Sequence, residues 1–331
     1  MDHLLSRRLL LRAGGAAGAA ALLGGLTPSP ASAVSSTGLF DLSLPSYEFI
    51  RSKALGDNTV LQSFAFDNVH DHIYFAQVTD GTDKSLGHLT ITKTNLDGVV
   101  LGTCFLRGFG HGTQIAVQPS GTGAYVWVEA SADADGYGEK LARFLFVSGR
   151  TLTGSSSAVE IYDPRPTGRN KSIAIDTKNG RVAIRYKIDG ESTTHYDLFS
   201  LSKFAAHDYS GALESLALPN VGMGTFQGFT TYGSYLYLLS GDAYDDGYGD
   251  PYDGLIAGGA RSAGNTFIRA VSWATGAGAN SPVRTTAGQT LYYREPEGMA
   301  VRINDAGEAK LCFGFASGTA GARRASIYYK V

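Results

Sequence analysis

A polar residue followed by two alternating apolar runs, with a tight turn between them, recurs five times along the chain. Gly108–Ala130 shows the unit most fully. His111 opens an apolar run at Ile115–Val117, a Pro/Gly turn follows at Pro119–Gly123, and Tyr125–Val128 alternates aromatic and β-branched residues. Gln62 opens the same phrase with SFAFD, the turn DNVHD and IYFAQ, and Asn170 opens it with KSIAID, TKNG and RVAIRY. Gln227 leads GFTT, YGS and YLYLLSG; Glu297 leads GMAVRI, NDAGE and AKLCFGF. The openers lie 49, 59, 57 and 70 residues apart. Period-two alternation predicts strands, and antiparallel repeats of this length predict an all-β fold, a five-bladed β-propeller of four-stranded blades.

Outer strands complete each unit. HLTITKT and VVLGTCFL finish the first blade, and weaker outer strands are expected near Ala158–Tyr162, Leu213–Leu218 and Gln289–Tyr293 in the next three. The fifth unit, Glu297–Val331, has room for only three strands, while Thr37–Ile50 is strand-like and belongs to no unit. The two deficits are complementary. Thr37–Ile50 is therefore expected beside Ala325–Lys330, closing the ring and covering its edges. Helical period is absent beyond a turn or two, with one helical turn expected at Phe204–His207.

Residues 1–33 read as a leader rather than as fold. Arg7 and Arg8 sit in a twin-arginine pattern, an Ala/Gly/Leu-rich run reaches Leu26, and Ala31-Ser32-Ala33 offers a small-residue cleavage site. That run is short and glycine-rich for a spanning helix. The expectation is a secreted protein of residues 34–331, exported by the twin-arginine route, extracellular or cell-wall associated, with no transmembrane segment and acting as a monomer. Removing three Arg and one Asp from 28 basic and 30 acidic residues leaves a net charge of −4. No nucleic-acid partner is expected, because that function needs a basic patch. Forty-three Gly, with 18 Tyr and 16 Phe against two Trp, suit a turn-rich, aromatic-packed β protein forming a single domain. Cys104 and Cys312 are the only cysteines. Export permits a bridge between them, whereas the mid-strand position of Cys312 favours a small buried hydrophobe.

Chain direction separates the two faces of the propeller. The turns PSGTG, TKNG and NDAGE share one face. The five openers and the long loops Ser131–Leu141 and Gly241–Asn265 converge on the other, where a ligand is expected. The candidate ring there is Gln62, His111, Asn170, Gln227 and Glu297, joined by Lys171 and by Gln77, Glu129 and Arg185 at the ends of second strands. Cationic and hydrogen-bonding groups among aromatics suit a sugar or an anionic polyol phosphate. Gly110 and Gly112 around His111 are expected to let backbone approach a ligand. Asp133, Asp135, Asp245 and Asp246 lie in two echoing Asp/Gly/Tyr loops that could hold a structural Ca²⁺. Aligned as an EF-hand, however, the first loop has Ser131 at position one and Ala142 at position twelve, so solvated turns are expected and no cofactor.

Gln62–Asp67 with Ile73–Gln77, Gly110–Gly112 with Trp127–Glu129, Phe226–Phe229 and Glu295–Met299 together resemble the TagC-like propeller family. That family includes teichoic-acid biosynthesis protein C and the platform domain of staphylococcal phage receptor-binding proteins. The resemblance spans most of residues 34–331 and implies a five-bladed propeller that contacts cell-wall glycopolymers; it implies no catalytic residues. The chain departs from the family in the long Asp/Tyr/Gly loop of the fourth blade. The alternative is a polysaccharide lyase acting by β-elimination next to a uronic acid. There Arg185 would neutralise the carboxylate, and His88 or His111 with Tyr186 or Tyr244 would remove the C5 proton.

Overall fold

The computed structural model describes residues 37–219, 224–244 and 262–331. The described strands form five antiparallel blades. Strand β1 (Tyr47–Lys53) precedes the first, which runs β2 (Leu61–Asp67), β3 (His72–Val78), β4 (Leu89–Asn95) and β5 (Val100–Arg107) from axis to rim. The second runs β6 (Ala116–Ser120), β7 (Gly123–Ala132) and β8 (Gly138–Leu145); β9 (Thr151–Thr153) then crosses to pair in parallel with β5 before β10 (Val159–Tyr162) returns to β8. The third comprises β11 (Arg169–Asp176), β12 (Arg181–Lys187), β13 (Thr193–Ser200) and, after the short helix α1 (Leu201–Ala205), β14 (Glu214–Pro219). The fourth comprises β15 (Phe226–Tyr232), β16 (Tyr235–Ser240), β17 (Phe267–Ser272) and β18 (Val283–Arg284). The last comprises β19 (Glu295–Ile303), β20 (Ala309–Ser317) and β21 (Arg324–Lys330), with β1 as its outermost strand.

Burial on both faces explains why the second strands read as nearly continuous apolar runs: every residue from Ile73 to Gln77 of β3 is buried. Each pair of neighbouring blades encloses its own apolar wedge. Phe109 and Val128 pack with Ile91 and Leu106 between blades one and two; Trp127 and Tyr162 pack with Ile184 and Phe204 between two and three. Tyr196, Phe229 and Trp273 fill the next, Tyr237, Met299 and Phe313 the fourth, and Ile327, Phe64 and Phe75 the one that closes the circle. Cys104 and Cys312 sit in different wedges as free, buried thiols, which burial pushes up to about 11 and about 12.

Ring closure involves a shorter strand than expected. Tyr47–Lys53 pairs with β21, and Ile50 faces Ile327. The preceding residues are not strand: Thr37 bonds to the Tyr232–Ser234 turn, and Phe40 and Leu42 plug the wedge between blades four and five. The outer strand of blade four also differs, being Val283–Arg284 rather than Gln289–Tyr293. The Arg294 side chain is the reason. Its guanidinium takes the Ala287 and Thr285 carbonyls at 2.8 and 3.0 Å, so the 285–294 segment wraps around a buried cation instead of pairing along a strand. Among the described residues, no helix is long and apolar enough to cross a membrane.

The axis is closed by backbone. A Cβ on Gly228 would lie 2.8 Å from the Cα of Gly298, and one on Gly298 would lie 2.6 Å from the Cα of Ser63. Blades four, five and one thus meet main chain to main chain. Gln114 of blade two fills what remains, its amide donating to the Met299 carbonyl at 2.9 Å and its oxygen accepting from Met299 and Phe229 amides. Gly298→Ala should therefore destabilise the protein by more than about 2 kcal/mol, because φ there is 72° and the methyl would strike backbone. Urea unfolding checks this; an unchanged midpoint would mean the axis has slack.

Candidate functional site

The openers reach the axis through irregularities in the inner strands. Register shifts interrupt the pairing between Leu61 and Ser63, Arg169 and Ser172, Phe226 and Gly228, and Pro296 and Met299. Gln62, Asn170, Gln227 and Glu297 each sit within one of these bulges. An extra residue bends the strand and re-aims a side chain that regular alternation would send into a wedge. In blade two the inner strand begins only at Ala116, and the preceding His111–Ile115 is irregular. Its shape comes from Glu129, a buried carboxylate that accepts from the Gly112, Thr113 and Gly138 amides at 2.6, 3.0 and 2.6 Å. Burial raises the Glu129 pKa, and these amides oppose the rise.

All five openers line one cavity of about 560 Å³ on the long-loop face, together with Val60, Thr113, Tyr137, Arg185, Lys187, Thr225, Phe226, Tyr293 and Glu295. One wall is cationic. The Arg185 guanidinium lies 4.0 Å from the centroid of the Phe226 ring, and its Nε is buried without a hydrogen-bond partner. Lys187, two positions on along the same strand, has its pKa lowered by burial and then by Arg185 and Arg169. Neither Arg185 nor Lys187 makes an ion pair among the described residues, whereas Arg169 beside them is paired with Asp189. Oδ1 of Asn170, whose backbone is left-handed at φ 51°, is also buried and unpartnered.

The remaining wall is polar but holds less charge than its formula suggests. Burial, with Glu295 close by, raises the Glu297 pKa well above 4.5. Burial and then Lys84 lower His111 to about 4, so its imidazole is neutral at neutral pH, with the Tyr137 ring 5.0 Å away. Gln227 donates to the Gly241 carbonyl at 3.0 Å. Tyr293 and Arg294 have φ of 73° and 46°, and the anchored Arg294 guanidinium, stacked on Tyr244 and Phe315, holds this strained pair at the rim. Such an arrangement suits one anionic group beside several hydroxyls.

Other candidates lie elsewhere. Gln77 secures the Asp57–Thr59 linker, donating to both carbonyls at 3.0 and 2.7 Å. Lys171 is buried between blades two and three, bonded to Asp163 and the Glu139 carbonyl. Glu129 is the clamp just described, and it corrects the reading of Gly110. A Cβ there would lie 2.3 Å from the Glu129 side chain, so that glycine makes room for a carboxylate rather than for a ligand. Tyr186 donates to Asp197, Tyr244 is fully buried against the Ser262 and Gln289 carbonyls, and His88 accepts from the Gly108 amide. Of the proton-transfer set, only His111 and Arg185 reach the cavity. Asp133 caps its own turn by accepting from the Asp135 and Tyr137 amides; Asp245 and Asp246 lie outside the described residues. Among the described residues, no three His, Cys, Asp or Glu are grouped to hold a metal. Lys187 and Glu295 were legible in principle, because strand period places them on the faces of Arg185 and Glu297. Tyr137, Phe226 and Tyr293 carried no such signal.

Residues 60–253 match the model of a family described as the phage 5-bladed beta propeller receptor binding platform domain. The chain belongs to that family. It is 27% identical over 294 residues to the putative major teichoic acid biosynthesis protein C of Bacillus subtilis (strain 168), covering 88% of this chain and 63% of that one. It also superimposes on the tail fiber of Staphylococcus aureus phage P68 with a TM-score of 0.66 at 19% identity, over 88% of this chain and 54% of the fiber. The chain thus spans less than two thirds of the length of either relative. The fold-level likeness extends over nearly all of this platform-family propeller.

Glu297 makes the platform's stability depend on pH in a definite direction. A carboxyl whose folded pKa is raised binds more protons folded than unfolded. Its contribution is complete below about 4.5 and declines as pH rises through that value toward the folded pKa. Glu297→Gln abolishes the decline, so the variant should melt above the wild type at neutral pH, with the gap closing in acid. A variant that melts lower at neutral pH would show that an ionised Glu297 is held in place by partners.

Proposed function

We propose that this propeller is exported and binds an anionic cell-wall glycopolymer, of the polyol-phosphate or teichoic-acid kind, in the opener-face cavity. One observation carries the reading: Arg185 and Lys187 stand side by side on the cavity wall, and among the described residues neither is ion-paired to a carboxylate. Two adjacent cations repel, and an arginine Nε buried without a partner is costly, so the arrangement is stable mainly as half of a charge-assisted pair. Phosphate or carboxylate oxygens would complete it, while Gln62, Gln227, His111 and Glu297 offer hydrogen bonds to sugar or polyol hydroxyls. The names of the relatives, a receptor-binding platform and a teichoic acid biosynthesis protein, support the same class of ligand. The twin-arginine leader supports delivery of a folded protein to the wall.

Hydrogen bonds to charged groups contribute about 1.5–3 kcal/mol, so Arg185→Ala should weaken binding of purified wall teichoic acid about 10- to 150-fold. Added salt should weaken the wild type in the same direction. Wild-type affinity in a folded Arg185→Ala variant would refute the ligand reading. Export is checked separately by sequencing the secreted protein, which should begin at Val34. An intact Met1 on cell-retained protein would refute it.

A further inference from the structure

Among the described residues the cavity opens on the opener face and its floor is sealed. Directly beneath the openers, Gly228, Gly298 and Ser63 touch through backbone, and Gln114 closes the remaining gap with hydrogen bonds to Phe229 and Met299. On the far side of Gln114 the axial space shrinks to about 20 Å³, room for roughly one water. No polymer can thread this ring. A chain entering the cavity must end inside it or turn back toward the opener face.

Charge distinguishes these two cases. An internal stretch that loops in and out brings successive phosphodiesters into the same space. Among its described lining residues the cavity has one cationic pair, Arg185 and Lys187, on blade three. Blade five lines the cavity with Glu295 and Glu297 instead, so a second phosphate there would meet carboxyl groups. A terminal unit places one phosphate on the cationic wall and leaves its free hydroxyls for the carboxyl and amide side. The volume of about 560 Å³ suits a small ligand held on most sides rather than a chain lying in a groove.

We infer that the propeller recognises the free end of the glycopolymer, inserting the terminal polyol-phosphate unit into the blind cavity, and does not grip internal repeats. The inference rests on the proposed function. It predicts a stoichiometry that midchain binding cannot produce: one protein per polymer chain whatever its length.

Calorimetric titration of the protein with length-fractionated, unbranched 1,3-linked poly(glycerol phosphate) tests it. The protein bound per chain should stay at one as the chains lengthen. Periodate cleaves vicinal diols, which such a chain carries only at its terminal glycerol, so oxidation should abolish binding while leaving internal units unaltered. Protein bound in proportion to chain length, or undiminished binding after oxidation, would overturn the inference. So would failure of every fraction to bind when whole wall teichoic acid binds. Failure of whole wall teichoic acid as well would overturn the proposed function with it.

Discussion

Convergence of the inner strands on the axis governs both the fold and the cavity. Five twisted sheets packed around one point leave little room there. This protein uses that room for main chain at Gly228, Gly298 and Ser63, and for one side chain, Gln114. A buried amide with its oxygen and nitrogen both satisfied costs little, whereas a half-satisfied one would be expensive. Gln114 therefore ties blade two to blades four and five while closing the ring. The channel that a wider propeller leaves open becomes the floor of a cup.

The cup is shaped by residues that do not line it. Glu129 holds His111 by collecting backbone amides, Lys171 braces blades two and three, and buried Arg294 holds Tyr293 in a left-handed conformation. Each uses a charged or hydrogen-bonding side chain to over-determine a loop, so that little ordering entropy remains to be lost on binding. Burial then lowers His111 to about 4 and raises the Glu297 pKa well above 4.5, so it disfavours charge on both openers. Against that background the Arg185–Lys187 pair makes one wall cationic.

Much of this was legible in the sequence, for a physical reason. Strands buried on both faces must be apolar in every repeat, and the axial end of each must turn polar where water reaches it. Spacing of Gln62, His111, Asn170, Gln227 and Glu297 therefore revealed the blade count and the residues of the cup mouth. A missing fourth strand in the last unit revealed how the ring closes, since an unpaired edge would be a liability.

Tertiary packing decided what periodicity cannot express. Bulges that turn the openers inward depend on neighbouring backbones, so residues adjacent in sequence part company: Asn170 enters the cavity while Lys171 is buried between blades. Glu129 and Gln77 looked like ligand groups because a polar residue ending a strand reads the same whether it faces solvent or a buried amide. Arg294 could not be distinguished from a surface arginine, yet its grip on the Thr285 and Ala287 carbonyls replaced the expected strand at Gln289–Tyr293. The sequence by itself determined the repeat, its handling of edges and the polar ring. Which polar groups pair with one another, and which line the cavity, was decided by distances between blades that no single strand contains.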